Sequence, residues 1–223
     1  GISCLSSGDT LIISGGTYAE QILDFSGAIP GGTSWSTVTT IKGAVGATVI
    51  LRPTSFNANI PAVVGLQRSS YVTFENLILD GNNYQLGGGI SVDKVDTSTY
   101  AHHLRFKDIT IRFVALSGID GTGIWSAAGQ ELAGTYHEFI NVYIHDYAHV
   151  DIPNHTAHGI YYAGGYGLFD GLIVDGSAVI SQGFCWHIYA SNLPITGVTI
   201  RNSTCRNGPA GFIQVSGINT VME

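Results

Sequence analysis

Five stretches of the chain repeat one pattern of apolar and polar positions. In the first, Phe74–Glu75–Asn76–Leu77–Ile78–Leu79–Asp80, large apolar residues stand at positions one, four and six. The pattern returns from Phe106 to Arg112, from Phe139 to His145, from Phe169 to Asp175 and from Ile195 to Arg201. Its fourth position is held by Leu77, Ile109, Val142, Leu172 and Val198, so the spacings are 32, 33, 30 and 26 residues. Repetition at such a period marks a solenoid. Positions four and six alternate with the period of a strand. Between positions one and four the period breaks to three, so a bend must lie there, or the two apolar sets would face opposite ways. The third position is Asn76, Asp108, Asn141, Gly171 and Gly197, all residue types that tolerate a left-handed backbone. The predicted unit is a short strand, a one-residue left-handed corner, and a second short strand.

One fold satisfies this unit: an all-β, single-stranded, right-handed parallel β-helix of about seven coils, centred near residues 12, 41, 77, 109, 142, 172 and 198. Residues 1–223 then form one domain. Equivalent residues stack about 4.8 Å apart, and Phe74, Phe106, Phe139 and Phe169 become a ladder of rings in the core. A leucine-rich or hexapeptide solenoid is excluded by the missing consensus and the uneven coil length. A second row of strands is expected around Ile90, Ile124, Ile160, Trp186 and Ile213. The charged columns predict lateral ion pairs between neighbouring coils: Glu75 with Lys107, Asp80 with Arg112, and Asp175 with Arg201. The stretch Ile218–Glu223 reads as the opening of another strand. The expectation is a piece of a longer protein or a unit that self-associates end to end.

Composition agrees with a coil stack. Glycine is abundant, at 30 residues, and only 11% of residues are charged. The net charge of −7, without a basic run, makes nucleic acid an unexpected partner. No apolar run is long enough to span a membrane. Cys4 lies about six coils from the other cysteines, too far for a bridge. Cys185 and Cys205 lie within one coil of each other and are read equally as a disulfide or as two buried thiols.

The openings Gly8–Asp9–Thr10–Leu11–Ile12–Ile13 and Gly16–Thr17–Tyr18, the strand Thr39–Thr40–Ile41–Lys42, and Val72 to Gly81 together resemble the pectate-lyase-like β-helix superfamily. Within it they look most similar to the branch of chondroitinase B and alginate lyases. The resemblance covers most of the chain. It implies a secreted or cell-surface protein that binds or cleaves an acidic polysaccharide, by β-elimination if it is an enzyme. Elimination requires a neutralised carboxylate, a base for the α-proton and an acid for the leaving oxygen. The candidate catalytic residues are Lys94, Arg105, His158 and His187. Those for substrate contact are His149, His155, Tyr161 and Trp186. Asp93, Asp96 and Asp151 are candidates for holding Ca²⁺. Five histidines crowd residues 137–158, on a segment expected to include a loop over one face. Hydrolysis of the polygalacturonase type is not expected, because only fragments of its motifs occur (Gly118 to Gly121 and Ala157 to Gly159). The rival class is a non-catalytic structural β-helix: a surface fibre, adhesin or filament subunit.

Overall fold

The computed structural model describes residues 1–24, 27, 29–55, 57, 62–83, 88–114, 124–126, 135–147, 158–176, 184–189, 195–207, 213–215, 217–218 and 221–223. One 3₁₀ turn (Ile2–Cys4) precedes an all-β chain. In order, the strands are β1 (Thr10–Ile13), β2 (Gly16–Tyr18), β3 (Ile22–Leu23), β4 (Thr39–Gly43), β5 (Val49–Leu51), β6 (Ala62–Leu66) and β7 (Ser70–Asp80). Next come β8 (Gly88–Val92), β9 (His102–Val114), β10 (Ile124–Ser126), β11 (Glu138–Tyr147), β12 (Ile160–Tyr162), β13 (Leu168–Asp170) and β14 (Ile173–Asp175). The last are β15 (Trp186–Ile188), β16 (Ile195–Thr196), β17 (Thr199–Arg201), β18 (Thr204–Arg206), β19 (Ile213–Val215), β20 (Gly217–Ile218) and β21 (Val221–Met222).

Every strand pairs in parallel with its counterpart one coil away. The long sheet runs β1-β4-β7-β9-β11-β13-β17-β21, with β2, β5, β14 and β18 beside it. A second sheet runs β3-β6-β8-β10-β12-β15-β19, and β16 pairs with β20. This is the parallel β-helix that the repeat predicts.

The inward columns are dry. Phe74, Phe106, Phe139 and Phe169 stack with centroids 5.3, 5.4 and 5.0 Å apart and planes within 8°. Beside them run the columns Leu77–Ile109–Val142–Leu172 and Leu79–Ile111–Ile144–Val174, each residue at most 2% exposed. The bend falls where the broken period requires it. Asn76, Asp108, Asn141 and Gly171 have φ of 55°, 54°, 52° and 72°.

The last repeat is shifted from the sequence reading. Phe169 pairs with Ile200 and Val174 with Cys205. The copy that stacks on Phe169–Asp175 is therefore Ile200 to Arg206, with its corner at Asn202 (φ 51°). Ile195 pairs instead with Gly217. The physical reason is a degeneracy in the pattern. Left-handed residues recur every five positions within a coil, as at His103, Asp108 and Phe113, at Tyr136, Asn141 and Asp146, and at Gly197, Asn202 and Asn207. A slip of five preserves both corner and alternation.

Two of the three predicted ion pairs form: Lys107 to Glu75 at 2.9 Å and Arg112 to Asp80 at 2.8 Å. The third does not. With the true register, Arg201 meets Asp170 and Arg206 meets Asp175, each at 2.8 Å. Arg52 joins Asp80 from the other side at 2.9 Å. Burial works against the Asp80 charge, yet the two guanidiniums and the Asn82 N–H outweigh it and hold the carboxyl below its ordinary pKa.

Cys185 and Cys205 form a disulfide with Cα atoms 6.0 Å apart. It joins the segment entering β15 of the second sheet to β18 of the long sheet. Cys4 is exposed and free.

Candidate functional site

The second sheet carries the site. In β12 and β15 the middle residue is less buried than its two neighbours, as alternation along a strand requires. Register aligns Ser91 with Trp125, Tyr161, His187 and Gln214 as one column, flanked by Ile90–Ile124–Ile160–Trp186–Ile213 and Val92–Ser126–Tyr162–Ile188–Val215. Ile160, Tyr162, Trp186 and Ile188 are core residues, at most 1% exposed. Tyr161 and His187 therefore belong to the outer face of β12 and β15, where both are partly exposed.

His158, just before β12, meets His187 there. The His158 Nε2 and His187 Nδ1 atoms are 3.0 Å apart. The Phe184 N–H donates to His158 Nδ1 at 2.9 Å. These bonds assign the tautomers. His158 Nδ1 accepts, so its proton is on Nε2 and is donated to His187 Nδ1; His187 in turn carries its proton on Nε2. That His187 Nε2 is buried and has no hydrogen-bond partner among the described residues. Burial, and then the neighbouring His187, push the His158 pKa down to about 3. Burial lowers His187 as well. Tyr161, Phe184 and Tyr189 surround the pair, with ring centroids 5.2, 5.7 and 5.4 Å from His187. The dyad can thus offer a hydrogen-bond donor. Both of its lone pairs are engaged, so it offers no base.

The structure brings together His158, His187 and Tyr161 of the candidates named above. Trp186 is excluded from substrate contact: it is 1% exposed and fills the core. Its neighbour in sequence, His187, takes the outer face because side chains alternate along a strand. Arg105 is engaged within the coil stack. Its Nε donates to Glu138 at 2.6 Å, and its guanidinium lies 4.3 Å from the Trp35 ring centre. The register of β9 against β11, as the repeat aligned them, places Glu138 beside it. Lys94 bridges to Tyr100 beyond the end of β8, two strands from β12 and roughly 10 Å along the axis.

His149, His155 and Asp151 lie outside the described residues. Of the other two proposed Ca²⁺ ligands, Asp93 Oδ1 accepts the Lys94 N–H at 2.8 Å. Asp96 Oδ1 accepts from Ser98 N, Ser98 Oγ and Thr99 N, which makes it the cap of an exposed turn. Among the described residues no three His, Cys, Asp or Glu side chains are placed to hold a metal ion. Asp93 and Asp96 are thus each engaged by local donors, and the third proposed ligand, Asp151, lies outside the described residues.

Sequence reasoning missed a second imidazole group. His102 and His103 open β9, with their Nδ1 atoms 2.7 Å apart. His103 is left-handed, and its ring stacks between Tyr71 (4.5 Å) and Tyr136 (4.7 Å), with Tyr166 a further 4.8 Å along. His137 is fully buried beside them. Burial first, then His102 and His103, bring its pKa to about 3. The adjacent histidines were visible in the sequence, but a left-handed column of aromatics was not, because aromatic residues rarely adopt that conformation.

Fold and site together define a parallel β-helix with an aromatic–imidazole patch on the outer face of its second sheet. The sequence matches no protein-family model and no curated protein. Over its whole length it is similar, at 12% identity and a TM-score of 0.43, to the structure of a mannuronic acid specific polysaccharide family 6 lyase enzyme from human gut microbiota. It spans 49% of that protein's chain. Among the described residues, no helix is long and apolar enough to cross a membrane.

Proposed function

We propose that the protein is a secreted, carbohydrate-active β-helix that binds an acidic polysaccharide at the patch around Tyr161 and His187 and cleaves it by β-elimination. The observation that carries this reading is the Phe184–His158–His187 hydrogen-bond chain, which leaves the imidazole Nε2–H of His187, buried beneath the aromatic patch, without a partner among the described residues. Tyrosine rings supply apolar faces for sugar rings and hydroxyls for their oxygens. In an elimination, negative charge builds on the substrate carboxyl as the α-proton leaves. A fixed donor aimed at that oxygen stabilises the transition state more than the ground state. His187 Nε2–H is assigned this part, and proton abstraction falls to a group other than the dyad.

The test is to incubate the protein with pectate, alginate and chondroitin and follow the ultraviolet absorbance of newly formed unsaturated chain ends. Absorbance should rise on at least one of the three. A flat trace on all of them, with no retardation of the protein in gels cast with the same glycans, would sink the reading.

A further inference from the structure

We infer that His158 is a positioning residue: it locks His187 into the tautomer that carries its proton on Nε2, the atom left without a partner among the described residues. This deepens the reading above by naming what sets the donor, and it rests on that reading only for the identity of the acceptor. Four observations carry it. His158 is 4% exposed, so it can act on a ligand only through a neighbour. Its Nδ1 is held by a backbone amide, a donor that cannot be turned off by titration or rotation. That amide belongs to Phe184, next to Cys185, whose disulfide to Cys205 fixes the segment against the opposite sheet. Finally, the Gly159 N–H donates to the Phe184 carbonyl at 2.9 Å and the Ile160 N–H to the Cys185 carbonyl at 2.8 Å, which fastens the two strands on either side of the dyad.

The proton inventory follows. One proton sits on each Nε2 and none on either Nδ1. Adding a proton to His187 Nδ1 would set it against the His158 Nε2–H, and His158 cannot turn its own proton to Nδ1 without opposing the Phe184 amide. His187 is therefore a neutral donor. It takes an oxygen acceptor, a sugar carboxylate or hydroxyl, and it does not neutralise charge as an imidazolium would. A surface histidine free of this lock would exchange tautomers and gain a proton near its ordinary pKa of about 6.5.

The experiment is long-range ¹H–¹⁵N correlation spectroscopy of histidine-labelled protein at pH 7.5. In the wild type, His158 and His187 should each show an unprotonated Nδ1 and a protonated Nε2. In His158→Phe, His187 should become a tautomer mixture. In His158→Gln, whose carboxamide N–H still reaches toward His187 Nδ1, the single Nε2–H form should return. Unchanged melting curves separate these shifts from misfolding. A wild-type His187 protonated on Nδ1, or already a mixture, overturns the proposal without reference to any variant. In a second arm, oligomers of mannuronate or galacturonate are added. They should move the His187 Nε2 resonance in the wild type and bind His158→Phe about tenfold more weakly. A locked Nε2–H tautomer upholds the positioning role whatever the oligomers do. If no oligomer moves that resonance, the acidic-glycan reading fails separately.

Discussion

Several single residues hold conformations or burdens that their type alone would not suggest. Tyr71, His103, Tyr136 and Tyr166 all have φ between 52° and 56°. A bulky residue in that region costs roughly 1–2 kcal/mol. Ring stacking along the column offsets part of it. The column ends on Gly197 (φ 69°), where an added Cβ would lie 2.6 Å from the Tyr166 ring. Gly197→Ala should therefore destabilise by about 2 kcal/mol or more, and by less in a Tyr166→Ala background, as a double-mutant cycle of denaturant melts would show. Asp24 carries a different burden. It is fully buried and accepts from Gln67 N, Arg68 N, Ser69 N and Ser69 Oγ at 2.5–3.0 Å. Asp24→Ala strands three backbone donors and should cost about 3 kcal/mol, read as a fall of about 6–12 °C in melting temperature. The left-handed Asn and Asp corners were legible in the sequence, because their short polar side chains make the conformation cheap. The tyrosine column and the Asp24 cap were not, since both depend on partners in another coil.

At the scale of strands, alternation identified most of what faces inward. In β9, buried Leu104, Phe106, Ile109 and Ile111 alternate with less buried Arg105, Lys107, Thr110 and Arg112, apart from the break at Asp108. Register was harder to read. Coils bent every five residues look alike after a slip of five, so the final repeat and its Arg201 pairing were misplaced until Phe169 was set against Ile200. Glu138 beside Arg105 follows from the Phe106–Phe139 register, but it lies one position before the repeated pattern, outside the columns compared. Removing one ring from the ladder tests the stack: Phe106→Ala should cost about 3–5 kcal/mol and Phe106→Leu much less. Spacing left the Cys185–Cys205 link open between bridge and thiols, because it gives proximity but not the direction of the side chains. Closing a loop with a sequence separation of 20 stabilises by about 3 kcal/mol. Reduction should lower the melting temperature of the wild type and leave a Cys185→Ser, Cys205→Ser protein unaffected.

The whole molecule joins these features through charge and protonation. Arg52, Arg105, Lys107, Arg112, Arg201 and Arg206 are all engaged by carboxylates on other coils, so the basic residues largely serve the stack. Two histidines are held neutral inside it. Folded His137 and His158 have pKa values of about 3, against about 6.5 when unfolded. Their contribution to stability is complete above pH 6.5 and is lost as pH falls from 6.5 toward 3. Each group contributes up to about 1.4 kcal/mol per pH unit within that window. Denaturant melts between pH 7.5 and 4.5 should show it, and His137→Phe should flatten the slope. The site itself was half legible. Tyr161 and His187 stand on short strands of the second row, and His158 just before one; the sequence marks these strands but not which of their side chains face out. The calcium ligands and the catalytic candidates Lys94 and Arg105 came with the resemblance, and Arg105 is engaged by Glu138 instead. The central claim is that His187 donates to an acidic glycan undergoing elimination. Its most direct test is the rate of unsaturated-end formation by the wild type and by His187→Phe. The account predicts measurable elimination by the wild type and a loss of about 10²–10³-fold in the variant at an unchanged melting temperature. A variant as active as the wild type would contradict it.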